Sequence, residues 1–169
     1  MKQLTAAILL TLLLFALLGC SSQDSEYIEP VNFYYCNDLD SKEDFENIFV
    51  AEVREGVGYV ENKPALLSLY LSGPQNGRLI SPFPAGTALI SVQKTGDMLQ
   101  IVFSDHLAQL TGLDLTIAAT CISLTVFELY PCAQVEISCE GALLDEQVSL
   151  TMFAEDLVLV DEAYTMPGG

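Results

Sequence analysis

The sequence predicts an α/β chain of the α+β kind: a single small domain in which a mixed sheet carries two helices on one face. Three observations predict it. Short runs with apolar residues at every second position recur along the chain, two stretches carry apolar residues at helical spacing, and Gly- and Pro-bearing segments punctuate them. With 169 residues, 51% of them apolar and 17% charged, the chain has the size of one domain and enough apolar surface to offset ordering entropy. A formal charge of −17, from 23 acidic and 6 basic residues, excludes the broad basic surface that nucleic acid requires.

The elements follow in order. Val31, Phe33 and Tyr35 alternate with Asn32, Tyr34 and Cys36, the pattern of a strand. Asn37 to Asn47 reads as an acidic loop, Ile48 to Val53 as a second strand, and Arg54 to Asn62 as a turn. Pro64 suits a first helical turn, where its missing N–H costs nothing; Leu66, Leu67, Tyr70 and Leu71 follow at helical spacing until Gly73-Pro74 stops them. Pro74 to Gly86, with three prolines, is expected as an irregular crossover. Thr87 to Lys94 and Met98 to Ser104 form a hairpin around Thr95-Gly96-Asp97. Leu113 to Leu129 is a long helix with Leu113, Ile117, Cys121, Leu124 and Phe127 along its apolar face. Its thirteen uncharged residues between Asp114 and Glu128 are too few to cross a bilayer, which makes it a core helix. Val135, Ile137 and Cys139 alternate with polar neighbours as far as Gly141, and Val148 to Phe153 with Leu157 to Val160 suggest a short C-terminal hairpin.

The chain begins with Met1-Lys2-Gln3 and fifteen mostly apolar residues, Leu4 to Leu18. As a helix these reach roughly 22 Å, short of the ~30 Å hydrocarbon core. They end at Leu17-Leu18-Gly19-Cys20-Ser21-Ser22, which resembles the lipobox of bacterial lipoproteins. That resemblance implies a leader at residues 1–19, removed in the mature chain, and Cys20 as the lipid attachment site. Two acyl chains would hold such a chain firmly to a membrane. Residues 20–30, polar and acidic, are expected to tether the domain to its anchor.

Between Ala65 and Gly141 the chain is similar to the GerMN domain of sporulation and spore-germination proteins. The matching residues are Ala65-Leu66-Leu67 with Gly73-Pro74, Leu79-Ile80-Ser81, Pro84-Ala85-Gly86-Thr87, Leu89, Ser91-Val92, Gly96, Phe103-Ser104, Ser123-Leu124-Thr125 and Val135-Glu136-Ile137 up to Gly141. With Phe33-Tyr34-Tyr35 as an opening strand, the resemblance covers residues 31–141 and leaves 142–169 as a C-terminal extension. It implies a ring-building-motif-like fold, a lipoprotein on the outer face of the cytoplasmic membrane of a Gram-positive-type bacterium, and a part in assembling an envelope complex, with protein partners that include further copies of the chain. Gly73, Pro74, Pro84, Gly86, Thr87 and Gly141 are its motif positions. They shape backbone, and none supplies a nucleophile.

The remaining chemistry is sparse. Ser104-Asp105-His106 sets hydrolase residue types side by side, but neighbours in a turn rarely let an imidazole reach the serine while the acid orients its far nitrogen. A surface position at a strand exit is expected for His106. The segment from Asp38 and Asp40 to Glu46 resembles a calcium loop, yet Lys42 falls at a ligand position and Glu43 replaces the required glycine. Tyr34, Tyr35, Tyr59 and Tyr70 offer aromatic rings for a sugar, although packing accounts for at least two of them. Cys36, Cys121, Cys132 and Cys139 are read as buried thiols; an extracytoplasmic setting also permits disulfides, in three full pairings that the sequence does not separate. The expectation is a non-enzymatic assembly lipoprotein without metal or cofactor. The alternative is a lipoprotein that captures a small molecule or cell-wall glycan, for which a deep apolar pocket would speak.

Overall fold

Among the described residues the α+β class holds, with the strands divided between two sheets instead of gathered in one. The computed structural model describes residues 30–37, 48–55 and 62–157. The leader, Cys20, the tether up to residue 29, the calcium-like loop, the turn at 56–61 and the chain beyond Leu157 lie outside the described residues.

The first sheet has the order β2-β1-β3, with β1 at Pro30–Asn37, β2 at Phe49–Glu55 and β3 at Leu79–Ile80. β1 pairs antiparallel with β2 along its whole length but with β3 only through Cys36 and Asn37. The two-residue β3 lies within the stretch expected as irregular crossover. A segment so short, set among prolines, carries no readable period.

The second sheet has the order β4-β5-β6-β7, with β4 at Leu89–Thr95, β5 at Met98–Phe103, β6 at Gln134–Cys139 and β7 at Ser149–Phe153. The β4–β5 hairpin closes one residue tighter than expected, since Thr95 pairs with Met98 and only Gly96 and Asp97 form the turn. Inward positions follow period two, with Leu99, Ile101, Phe103, Val135 and Ile137 all buried. β5 and β6 run parallel, which requires a crossover between them. Ser149–Phe153 of the expected C-terminal hairpin forms β7, which pairs antiparallel with β6 and is followed by a 3-10 turn at Ala154–Asp156, while the hairpin's second strand lies beyond the described residues.

Helix α1 spans Lys63–Leu71, with Pro64 in its first turn and the Asn62 side chain accepting from the Ala65 amide. Helix α2, Gly112–Leu129, makes the β5–β6 crossover and packs against β1 of the first sheet and β6 and β7 of the second. Its length and apolarity match a membrane span, but more than half of it is buried inside the protein.

The apolar face of α2 differs from the expected one. Leu113 is 73% exposed, while Leu115, Ala118, Ala119, Ile122, Val126 and Leu129 form the buried stripe at i, i+3, i+4, i+7 spacing. Cys121, Ser123, Leu124 and Thr125 are buried as well, because a helix held between two sheets has no dry side to spare. One core results, in which Phe33, Tyr35, Tyr70 and Phe83 meet Leu99, Ile101, Leu107, Ile122 and Ile137.

Candidate functional site

The motif positions resolve into two backbone anchors. At the first, Gly73 ends α1 with φ +96°, in the left-handed region where a side chain is strained. Its carbonyl accepts from Arg54 Nη2 at 2.6 Å. Just past Pro74, the amides of Gln75 and Asn76 donate to Glu52 Oε1 at 2.8 and 2.6 Å. Glu52 Oε2 in turn accepts from Arg54 Nε at 2.7 Å and Nη2 at 2.6 Å. The Arg54 guanidinium lies over the rings of Phe33 and Tyr35, 5.2 and 5.9 Å from their centroids.

Glu52 and Arg54 are 9% and 7% exposed, so this is a buried ion pair whose remaining hydrogen-bonding capacity is given to the Gly73–Asn76 backbone. Sequence reasoning missed it, although a signal exists. Glu-x-Arg at i, i+2 puts both charges on one face of a strand, and the register pairs Glu52 with Phe33 and Arg54 with Val31, both buried.

The second anchor is the Pro84–Thr87 turn. Thr87 N and Oγ1 both donate to the Pro84 carbonyl, at 3.1 and 2.9 Å. Gly86 occupies the third turn position with φ +92°, as a type II turn demands. A Cβ there would sit 2.9 Å from the His106 ring, so the glycine also makes room for the imidazole. Ser104 Oγ accepts from the Ala88 amide at 3.0 Å and donates to the Gly86 carbonyl at 3.4 Å. The hydroxyl is thus committed to fastening this turn to the end of β5. His106 Nδ1 stands 3.1 Å from Asp105 Oδ1, and both side chains are largely exposed, at 45% and 73%. Gly141 turns the chain directly after β6.

Between the anchors runs a seam that joins α2 to β1. Cys121, Thr125 and Glu128, at i, i+4 and i+7 on the helix, face Cys36, Tyr34 and Asn32, at alternate positions of the strand. The contacts are Cys36 Sγ to Cys121 Sγ at 4.0 Å, Tyr34 N to Thr125 Oγ1 at 3.0 Å, Tyr34 Oη to Glu128 Oε1 at 3.2 Å and Asn32 Nδ2 to the same oxygen at 3.4 Å. Because β3 pairs only with the last two residues of β1, the backbone of Tyr34 must find other partners. Thr125 takes its N–H, and Tyr70 Oη donates to its carbonyl at 2.8 Å. Tyr35 Oη returns the bond by donating to the Tyr70 carbonyl, also at 2.8 Å.

Burial raises the phenol pKa of Tyr70 and of Tyr35, where the Arg54 charge opposes it. Tyr34 is raised by burial and then by the nearby Glu128 carboxylate. Lys63, at the start of α1, donates to the Leu129 carbonyl at the end of α2 and lies 5.1 Å from the centroid of the Tyr130 ring.

Two open grooves meet at Glu128. One, of about 180 Å³, is lined by Val31, Asn32, Lys63 and Leu66; the other, of about 300 Å³, by Tyr34, Leu124, Phe127 and Leu157. Both lie at or below the lower bound for small-molecule sites, roughly 300 Å³. Of the tyrosines proposed for a sugar, Tyr35 and Tyr70 are core residues, Tyr34 keeps only 7% exposure, and Tyr59 lies outside the described residues.

The described residues form a small α+β domain in which Arg54, Glu52, Ser104, Thr125 and Tyr70 bond the chain's own backbone. The family model described as Germane, sporulation and spore germination, matches residues 32–145, and the chain belongs to that family. Among solved structures, the chain is similar to the tandem GerMN domains of the sporulation protein GerM from Bacillus subtilis, with a TM-score of 0.51 and 16% identity over 72% of this chain. It spans 42% of the length of that tandem chain. A solved protein structure from Clostridium perfringens is similar at TM-score 0.43 and 17% identity, over 76% of this chain and 89% of that one. Comparison with curated protein sequences finds no significant match.

Proposed function

We propose that the chain is a membrane-anchored, extracytoplasmic lipoprotein in which the GerMN domain acts without catalysis as an assembly module of an envelope complex in sporulation or germination. Cys20 carries the lipid, residues 20–30 hold the domain off the membrane, residues 31–141 form the module and residues 142–169 extend it. Membership of a family described by sporulation and spore germination supports this reading. So does the commitment of Ser104 to backbone hydrogen bonds.

The observation that carries the reading is the contrast between shallow grooves and open edges. Among the described residues, β2 and β3 bound the first sheet and β4 and β7 the second, and such edges are where a strand of another chain can add. β4 adds a half-exposed Ile90 beside a register shift between Leu89 and Ser91. An assembly module needs such faces, whereas a ligand-binding protein needs an enclosed pocket. The test is affinity capture from membranes of growing and sporulating cells, with wild type, Cys20→Ala and a β4-edge variant, Ile90→Lys, which sets a charge on the exposed edge. Protein partners retained by wild type and lost with either variant are expected. Unchanged partner capture and partner localisation in both variants would refute the reading.

A further inference from the structure

The upper end of the α2–β1 seam holds two thiols that nothing in the proposed assembly role uses. Cys36 Sγ and Cys121 Sγ lie 4.0 Å apart, so bond formation at the ~2.05 Å disulfide length closes a gap of about 2 Å, a side-chain displacement. The pair is asymmetric. Cys36 is half-buried on the last turn of the strand pattern, whereas Cys121 is fully buried in the helix. Cys132 precedes β6 and Cys139 is its last residue, and the six extended residues of that strand span roughly 20 Å, far beyond the ~7 Å Cα separation a disulfide tolerates. Those two cannot pair with each other.

We propose that Cys36 and Cys121 are an oxidisable dithiol that closes to one intramolecular disulfide, locking β1 to α2, while Cys132 and Cys139 stay as thiols. The oxidant is a disulfide-bearing donor, either a small-molecule disulfide or a thiol oxidoreductase. The Cys36 thiolate attacks one donor sulfur, a mixed disulfide forms, and the donor's other sulfur leaves as a thiolate. Cys121 then loses its proton and attacks Cys36 Sγ, releasing the second donor sulfur. The chain gives up two electrons and two protons, and the donor disulfide is reduced to two thiols.

The roles follow from the environments. Either thiol can donate in the Sγ–Sγ contact; that contact holds the Cys36 thiol below the ordinary thiol range, and the contact followed by burial pushes Cys121 up. Cys36, half-buried, is the more accessible thiol and therefore the first nucleophile, and the fully buried Cys121 is the second. The cross-link joins residues 85 apart, and a loop of that size confers a rise in Tm on the order of 10 °C. Its setting outside the cytosol rests on the export reading above; the chemistry does not.

The test uses the full chain purified in detergent, reduced, and then exposed to oxidised glutathione. Alkylation, cleavage after Glu residues and mass spectrometry follow, because Glu128 and Glu136 separate Cys121 from Cys132 and Cys139. The expected product is one cross-link between the peptides of Cys36 and Cys121, lighter by two hydrogens, with the Tm rise above reversed by reductant. Cys36→Ser and Cys121→Ala variants should lose both the cross-link and the Tm response. A cross-link through Cys132 or Cys139, or full alkylation of Cys36 and Cys121 after oxidation, would overturn the proposal. Alkylation in acid-quenched cells separates the two readings. A chain cut before Cys20 with the pair still reduced refutes the lock in its proposed setting. A chain that keeps residues 1–19 and is reduced in cells, yet cross-links once purified, refutes export and upholds the dithiol.

Discussion

The two sheets are built on different physical terms. In the second, neighbouring strands satisfy one another's backbone and the interior is apolar: Leu99, Ile101, Val135 and Ile137 are fully buried, and the polar contacts between Gln100, Glu136 and Ser149 lie on the outer face. In the first, β1 is left unpaired along much of one edge, and side chains from both helices take the place of the missing strand. The same sheet also buries a charged pair, Glu52 and Arg54 on β2, and the phenols of Tyr34, Tyr35 and Tyr70 lie in or against it. The lesson is that a short edge strand can be compensated by polar side chains, provided every one of them is satisfied.

High pH should break this difference most broadly. Tyr34, Tyr35 and Tyr70 all belong to the first sheet and its helix contacts, and each has a phenol pKa raised above the ordinary 10; Tyr130 is pushed up to about 12 by burial. A raised folded pKa means that the folded state holds the proton more tightly. The stabilisation is therefore complete below pH 10 and is lost as pH rises through 12 and beyond. Near-UV circular dichroism and phenolate absorbance should show tyrosine ionisation arriving together with unfolding, and Tyr70→Phe should move that transition upward in pH. Phenols that titrate near pH 10 in a folded chain would contradict it.

Glu52→Ala comes next, at about 3–5 kcal/mol of lost stability, because it strands the Arg54 charge and two loop amides in the interior. Glu136→Ala on the outer face of the second sheet should stay within ~0.5 kcal/mol. Denaturant titration compares them, and equal losses would erase the distinction between the sheets. On α2, Thr125→Val should cost about 1–3 kcal/mol by orphaning the Tyr34 amide. Thr120→Val removes only a bond back to the Thr116 carbonyl and should be near neutral.

The two anchors give a finer comparison. Gly73→Ala meets no atom within 4 Å and carries only the left-handed backbone cost, about 1–2 kcal/mol. Gly86→Ala adds the encounter with His106 and should exceed it, and His106→Ala should return the difference. If the two glycine variants melt alike with or without His106, the imidazole contact is energetically idle.

The second sheet was legible because one buried face and one wet face write a period of two into β5 and β6, and Gly96-Asp97 marks the turn that joins β4 to β5. The first sheet was legible in β1 and in the presence of β2, but not in which face of β2 points inward. Phe49, Ala51 and Val53 make the more apolar face, yet Val53 is 66% exposed while Glu52 and Arg54 are buried. Alternation alone cannot show that a carboxylate will be met by a guanidinium and two amides from a loop twenty residues away. The stripe on α2 failed for a related reason, since Cys121, Thr125 and Glu128 form a second, mixed seam that one-face patterning does not anticipate. The Gly-Pro and Pro-x-Gly-Thr positions were visible as backbone devices, whereas Arg54, Glu52 and Ser104, the side chains that fasten them, were not.

The seam also sets an order of events during synthesis. Tyr34 leaves the ribosome 91 residues before Thr125 and 94 before Glu128. At ~5–20 residues per second, roughly 5–20 s pass in which only Tyr70 of α1 can reach the open side of β1 and α2 is still missing. The docking of β1 on α2 is thus a late step that waits on the far half of the chain.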